Sequence, residues 1–205
     1  MLFRSPREML RAIEKALPKN SMVSTDIGNI CSVSNSYLRF DEPRSMFAAM
    51  SFGNCGYAFP VAIGAKIAAP DRPAFAYVGD GAWGISLNEL LTCAREKIGV
   101  TVILFNNGQW GAEKKNHVDF YSRRYQGVEL VNPSWAAVAK SFGCEGITVD
   151  KVGDVGAAIQ AAVKNQAEGK TTVLEMMVTK ELGDPFRRDA LSKPVRHLDK
   201  YKSFV

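Results

Sequence analysis

The chain has 205 residues, 46% of them hydrophobic and 23% charged, with a formal net charge of +5 at pH 7. That length and balance suit one well-buried globular domain, and the positive charge is spread out, which argues against a nucleic-acid-binding arm and for a modest pull on small anions. No apolar run approaches the roughly 20 residues that cross a bilayer, and "MLFRSPREML" lacks the apolar core of a secretory signal, so a soluble, cytoplasmic protein with no membrane or nucleic-acid partner is expected.

Taken in chain order, Ser5-Pro6-Arg7-Glu8 offers an N-cap, a first-turn proline and a capping-box glutamate. Met9, Leu10, Ile13 and Leu17 follow at helical spacing until Pro18. "MVSTDIGN" reads as a short buried strand ending in a glycine turn, and "FAYVGD", "VTVILFNN" and "TTVLEMMV" repeat that form. Helical patterns fill the intervals: "PVAIGAKIA", "LNELLTCAREK", "PSWAAVAKSFG" and "DVGAAIQAAVKNQAEG", the last with Gly169 as its C-terminal stop. Strands that are apolar on both faces, alternating with helices, predict an α/β fold: a mostly parallel sheet with helices on both faces. The chain reads as a single domain over residues 1–205, and the proline-broken basic tail at about 183–205 is expected to wrap over the domain or onto a partner. Trp135, Phe142 and the alanine-rich helix faces are expected in the core.

Cys31, Cys55, Cys93 and Cys144 form no CxxC pair and read as reduced thiols. His117 and His197 are the only histidines, so a metal site would use hard oxygen ligands. In parallel sheets ligands bind beyond the carboxyl ends of the strands, and "DIGN", "GDGAW" and "NNGQWG" all fall there. Gly79, Gly81 and Gly84 would form a turn that lets backbone N–H groups approach an anion, before a capping box at Ser86-Leu87-Asn88-Glu89 starts the next helix. Asp80 would repel a phosphate unless a divalent cation sat between them. Asn107 and a main-chain carbonyl near Gln109 could supply further oxygens to Mg²⁺. A lone Asp-Gly or Asn-Gly turn is ordinary punctuation; the informative feature is the pair, separated by one helix and one strand.

"GDG", a helix, a strand and then "NN" resembles the diphosphate-binding domain of thiamine-diphosphate-dependent enzymes, such as acetolactate synthases and pyruvate decarboxylases. "MSFGNCGYAFPVAIGAK", "GDGAWGISLNE", "NNGQWGAEKKNHVDFYSRRY" and the tail "ELGDPFRRDALSKPVRHLDKYKSFV" are similar to the C-terminal part of the sulfoacetaldehyde acetyltransferase family. The resemblance implies thiamine diphosphate and Mg²⁺ as cofactors, the metal held by the side chains of Asp80 and Asn107 and the carbonyl of Gln109. It implies backbone contacts to the diphosphate from Gly81 and Ala82, and further cofactor contacts from Gly28, Asn29 and Ile30, from Asn54 and Cys55, and from Gly79, Asn107, Gln109 and Trp110. Cys55 falls where relatives carry a bulky apolar residue that holds the cofactor bent, and a cysteine there is smaller.

The reaction so implied converts sulfoacetaldehyde and phosphate into acetyl phosphate and sulfite, so cations are expected near the active face. Glu113, Lys114 and Lys115 are the candidate catalytic residues, with Arg123 and Arg124 as further oxyanion ligands. A solvated charged loop is the competing reading. Arg187, Arg188, Lys193 and Arg196 fit surface or subunit packing. The family's cofactor also needs a glutamate from a pyrimidine-binding domain, for which this chain has no room. A fragment of a longer enzyme, or a subunit of a homo- or hetero-oligomer with little turnover alone, is therefore expected. Another thiamine-diphosphate reaction, such as keto-acid decarboxylation or acetolactate synthesis, and a noncatalytic α/β binding module are the alternatives.

Overall fold

The computed structural model describes residues 5–180, apart from the side chains of Ile30 and Cys31. The basic tail, with Arg187, Arg188, Lys193 and Arg196, lies outside the described residues. Helix α1 spans Pro6–Ala16, and the Ser5 hydroxyl accepts a hydrogen bond from the Arg7 N–H at 3.3 Å, as its capping pattern predicts. Six strands follow: β1 (Met22–Thr25), β2 (Met46–Ala48), β3 (Ala74–Gly79), β4 (Thr101–Asn106), β5 (Glu145–Val149) and β6 (Thr172–Met177). They form one sheet in the order β2-β1-β3-β4-β6-β5, and every pairing is parallel.

Strand alternation divides the core in two. On β3, Ala74, Ala76 and Val78 face one layer of helices, formed by α3 (Ala58–Ala68), α5 (Leu90–Glu96) and α7 (Trp135–Ser141). Phe75 and Tyr77 face the other, where Met9, Leu10 and Ile13 of α1 meet Val155, Ile159 and Ala162 of α8 (Val155–Ala167). Both faces are covered, which is why β1, β3, β4 and β6 read as continuous apolar runs. Trp135 lies in this core, Phe142 packs against it, and Cys55, Cys93 and Cys144 are free thiols.

Several elements depart from the sequence-based expectation. β2 and β5 were not predicted, because they are the sheet's edge strands and carry exposed residues, Met46 in β2 and Glu145 in β5. "DIGN" leads directly into a helix, α2 (Asn29–Ser34), and the turn expected after Gly79 is instead a helix, α4 (Asp80–Ser86). The Ser86 capping box does not form: Ser86 is the last residue of α4, its buried hydroxyl has no hydrogen-bond partner, and Glu89 accepts from Thr92 Oγ1 at 2.9 Å instead. Finally, Gly111–Phe120 is a helix, α6, rather than a charged loop. None of its residues is buried, so it carries no apolar stripe for periodicity to detect.

The strand order reverses between β1 and β3, since the chain moves from β1 out to β2 and then returns to the opposite side of β1, and it doubles back again at the far edge, where β6 lies between β4 and β5. A crevice opens at the carboxyl ends of strands at such a switch point. Among the described residues no helix is long and apolar enough to cross a membrane.

Candidate functional site at the carboxyl ends of β1, β3 and β4

A cavity of about 550 Å³ lies in that crevice, lined by Gly28 and Asn29 after β1, Gly79–Ala82 after β3, and Asn107, Gln109 and Trp110 after β4. Its size suits a cofactor. Asp80 is 2% exposed at its floor. Its Oδ2 accepts from the Gly108 N–H and from Asn132 Nδ2, both at 2.7 Å, and its Oδ1 accepts from the Gly81 N–H at 3.2 Å. Burial pushes the Asp80 carboxyl above its ordinary value, and these hydrogen bonds work in the opposite direction. The donors are neutral, so the buried carboxylate still lacks a counter-charge within this set.

The turn after β4 supplies the rest of the donor set. Gly108 sits at φ +67, which turns the chain so that its N–H meets Asp80 while Asn107 Oδ1 accepts from the Gln109 N–H at 3.2 Å. Gln109 pairs antiparallel with Glu129 through bonds made by its neighbours, Trp110 N–H to Val128 O at 2.8 Å and Leu130 N–H to Gly108 O at 2.9 Å. That pattern turns the Gln109 carbonyl away from the 128–130 segment. A methyl group at Gly111 would lie 3.1 Å from Asn29 Nδ2 and 3.8 Å from the side-chain nitrogens of Asn107 and Gln109, so three carboxamides converge there. Asn29 Nδ2 and Gln109 Oε1 are buried without hydrogen-bond partners. One carboxylate, carboxamide oxygens and a free carbonyl form a hard oxygen set that matches Mg²⁺ bound to an oxyanion and matches a thiolate- or imidazole-preferring metal poorly. Consistently, no cluster of three His, Cys, Asp or Glu side chains occurs among the described residues.

Trp110 covers Gly81 closely. A Cβ at Gly81 would stand 2.7 Å from Trp110 Cδ2 and Cε2 and 2.8 Å from Cε3. Gly81→Ala is therefore expected to displace the indole at a cost of about 2 kcal/mol, weakening a ligand held in the cavity that both residues line by roughly 10-fold, which a binding titration would read.

The predicted site residues separate into two groups. Gly28, Asn29, Cys55, Gly79, Asp80, Gly81, Ala82, Asn107, Gln109, Trp110 and Glu113 all line the cavity. Asn54 is exposed and does not, and the backbone of Ile30 belongs to α2 with its side chain outside the described set. The Cys55 thiol is pushed up first by burial and then by the charges of Asp26 and Glu113. Lys114 pairs with Glu129 and lies 5.3 Å from the Tyr125 ring centroid, and Lys115 bonds Asp119 at 2.5 and 2.7 Å. Neither lysine lines the cavity, and nor do Arg123 and Arg124, which are exposed. The shared Lys114 and Lys180 partners hold the Glu129 carboxyl well below the ordinary range, at about 2.

Three contributors escaped sequence reasoning. His117 lines the cavity beside Glu113 and has a buried Nδ1 without a partner; the two are four residues apart on α6, a relation visible only once that helix is known. Gln126–Val128 form a wall because they run beside the Gln109 turn. Asn132 reaches Asp80 from a loop that has no local signal of its own.

The sequence between residues 26 and 176 matches the family model described as thiamine pyrophosphate enzyme, C-terminal TPP binding domain. A sulfoacetaldehyde acetyltransferase from Alcaligenes xylosoxydans xylosoxydans is 66% identical over 98% of this chain and 33% of its own length. One from Castellaniella defragrans is 62% identical over 98% of this chain and 34% of its own length. The chain thus spans about a third of the length of these curated relatives. A solved structure, the Rhodococcus jostii RHA1 thiamine diphosphate-dependent 4-hydroxybenzoylformate decarboxylase, superposes with a TM-score of 0.79 over 86% of this chain and 33% of that one, at 22% identity, and so shares the fold. Parallel sheet, switch-point cavity and family match agree, and the chain belongs to the thiamine pyrophosphate enzymes as their C-terminal TPP-binding domain.

Proposed function

We propose that this chain is the diphosphate-binding part of a sulfoacetaldehyde acetyltransferase, which converts sulfoacetaldehyde and phosphate into acetyl phosphate and sulfite. The observation that carries the reading is the 66% identity over 98% of the chain, on a fold whose cavity floor holds Asp80. Asp80 and Asn107 would hold Mg²⁺ with their side chains and Gln109 with its carbonyl, while the first-turn backbone of α4, at Gly81 and Ala82, would meet the diphosphate. Thiamine diphosphate, when bound, supplies the carbon nucleophile and electron sink of the reaction. The chain's own contribution is to fix the metal, to bury the diphosphate end, and to wall the cavity with Cys55, Trp110 and Val128.

Glu113 and His117, four residues apart on α6, both line the cavity and are the side chains of that helix chemically suited to holding or moving a proton near the substrate. A pyrimidine-binding domain, in a longer chain or a partner subunit of a cytoplasmic oligomer, would complete the site. The test is phosphate-dependent release of sulfite from sulfoacetaldehyde by the chain supplied with that domain. Sulfite and acetyl phosphate in equal amounts would support the reading; carbon dioxide from a keto acid, with no sulfite from sulfoacetaldehyde, would replace it with a decarboxylase. In the same assay Lys114→Ala is expected to leave the KM values for sulfoacetaldehyde and phosphate within about twofold, because its ammonium is already committed to Glu129.

A further inference from the structure

Behind Asp80 runs a line of buried polar side chains that ends on a second buried carboxylate. Asn132 Nδ2 donates to Asp80 Oδ2 at 2.7 Å and to Asn106 Oδ1 at 3.0 Å, and Asn106 Nδ2 donates to Glu175 Oε1 at 2.8 Å. Glu175 lies on β6 and is 2% exposed; Asn106, at the end of β4, is 7% exposed. The start of α7 and strand β5 complete the shell of Glu175: it accepts from the Trp135 N–H at 3.1 Å, the Ala136 N–H at 3.2 Å, Ser134 Oγ at 3.3 Å and Thr148 Oγ1 at 3.2 Å.

The directions of the bonds in this line are mutually consistent. Glu175 Oε1 accepts from Asn106 Nδ2 as it does from the Trp135 N–H, so Asn106 turns its NH₂ toward Glu175, which leaves the Asn106 oxygen facing Asn132. Asn132 must then present its own NH₂, and its second hydrogen goes to Asp80. A flip of either carboxamide would set donor against donor or acceptor against acceptor, at the cost of an unsatisfied buried group.

The result at Asp80 is asymmetric. Oδ2 receives two donors at 2.7 Å, whereas Oδ1 receives the N–H of the next residue at a longer 3.2 Å. A magnesium ligand must give a lone pair at about 2.0–2.1 Å, and Oδ1 is the oxygen with one to spare. From this we infer that Asn132, oriented through Asn106 by Glu175, is a positioning residue that saturates Oδ2 and so dedicates the Oδ1 oxygen of Asp80 to the metal. This assignment rests on the reading of Asp80 as a Mg²⁺ ligand. It makes Glu175, three side chains away, part of the metal site's supporting shell, of the kind whose loss weakens metal binding about 10- to 100-fold.

The test is a double-mutant cycle read by binding. The wild-type chain, Asn132→Ala, Glu175→Gln and the double variant are titrated with Mg²⁺ by calorimetry at a fixed concentration of thiamine diphosphate, and the folded fraction of each is checked by circular dichroism. Asn132→Ala is expected to weaken the apparent Mg²⁺ affinity about 10-fold. Glu175→Gln sets an amide against the Trp135 or Ala136 N–H and is expected to act in the same direction, but to add nothing in the Asn132→Ala background, because both act through one contact. A purely structural role for Glu175 would lower stability and leave metal affinity alone. If Glu175→Gln does not fold, Asn106→Ala against Asn132→Ala makes the same cycle. Mg²⁺ dependence in the wild type, with Asn132→Ala within twofold of it or with additive effects, overturns this inference alone. No Mg²⁺ dependence in the wild type overturns the metal reading and the inference with it.

Discussion

Asp80→Asn is expected to lose Mg²⁺-dependent binding of thiamine diphosphate, by about 100-fold or more, while the ligand-free protein stays folded. The substitution keeps the shape of the side chain. Its carbonyl oxygen can take the Oδ2 position and satisfy the Gly108 N–H and Asn132 Nδ2, which places the amide nitrogen at the Oδ1 position, where it offers a metal a hydrogen instead of a lone pair. Removing the only charge in the proposed donor set costs about 3 kcal/mol or more even at a screened effective dielectric, and each 1.4 kcal/mol is tenfold in affinity. In the ligand-free state the same change removes a carboxylate whose pKa burial has already raised, so the lost charge is offset by relief of its desolvation. Calorimetric titration and thermal unfolding of the same samples separate the two effects. A variant that binds as the wild type does would show that Asp80 holds no metal.

Gly146→Ala is expected to destabilise the fold by about 3 kcal/mol and to lower the unfolding midpoint by roughly 10 °C for a chain of this size. A methyl group there would stand 2.0 Å from the Ala136 carbonyl oxygen and 2.7 and 2.8 Å from its carbonyl carbon and Cα. These are backbone atoms of α7, so no side chain can swing away; the helix itself must leave β5. That displacement also pulls the Trp135 and Ala136 N–H groups from Glu175, and the variant is expected to bind Mg²⁺ more weakly than its stability loss alone explains. A midpoint within a degree or two of the wild type would show that α7 is not clamped on β5 as described.

The strands that matter most to the site were the most legible. β1, β3, β4 and β6 are buried on both faces, so their apolar runs announce them, and each ends in the residues that line or support the cavity. Asp80, Asn107 and the glycines around them were legible for the same reason: polar residues at the carboxyl ends of buried strands serve no packing purpose. The edge strand β5 and helix α6 were not legible, since an exposed edge and a helix without a buried face lack the period that identifies such elements. The role of Asn132 was beyond local reading altogether. Its partners Asp80 and Asn106 lie 52 and 26 residues away in sequence, and nothing in "LVNPSW" sets it apart from an ordinary asparagine before a proline. Lys114 and Lys115, a charge run that invites an anion, pair with Glu129 and Asp119, partners that lie 15 and 4 residues away and that the run itself does not announce.

The most direct measurement is a calorimetric titration of the wild-type chain with thiamine diphosphate, with Mg²⁺ and with the metal removed by chelation. Saturable binding at one site per chain that requires Mg²⁺ is the predicted result, because Asp80 repels a bare diphosphate and attracts a metal-bearing one. Equal binding with and without the metal, or none in either condition, would contradict the account of Asp80, Asn107 and Gln109 as the grip on a magnesium diphosphate.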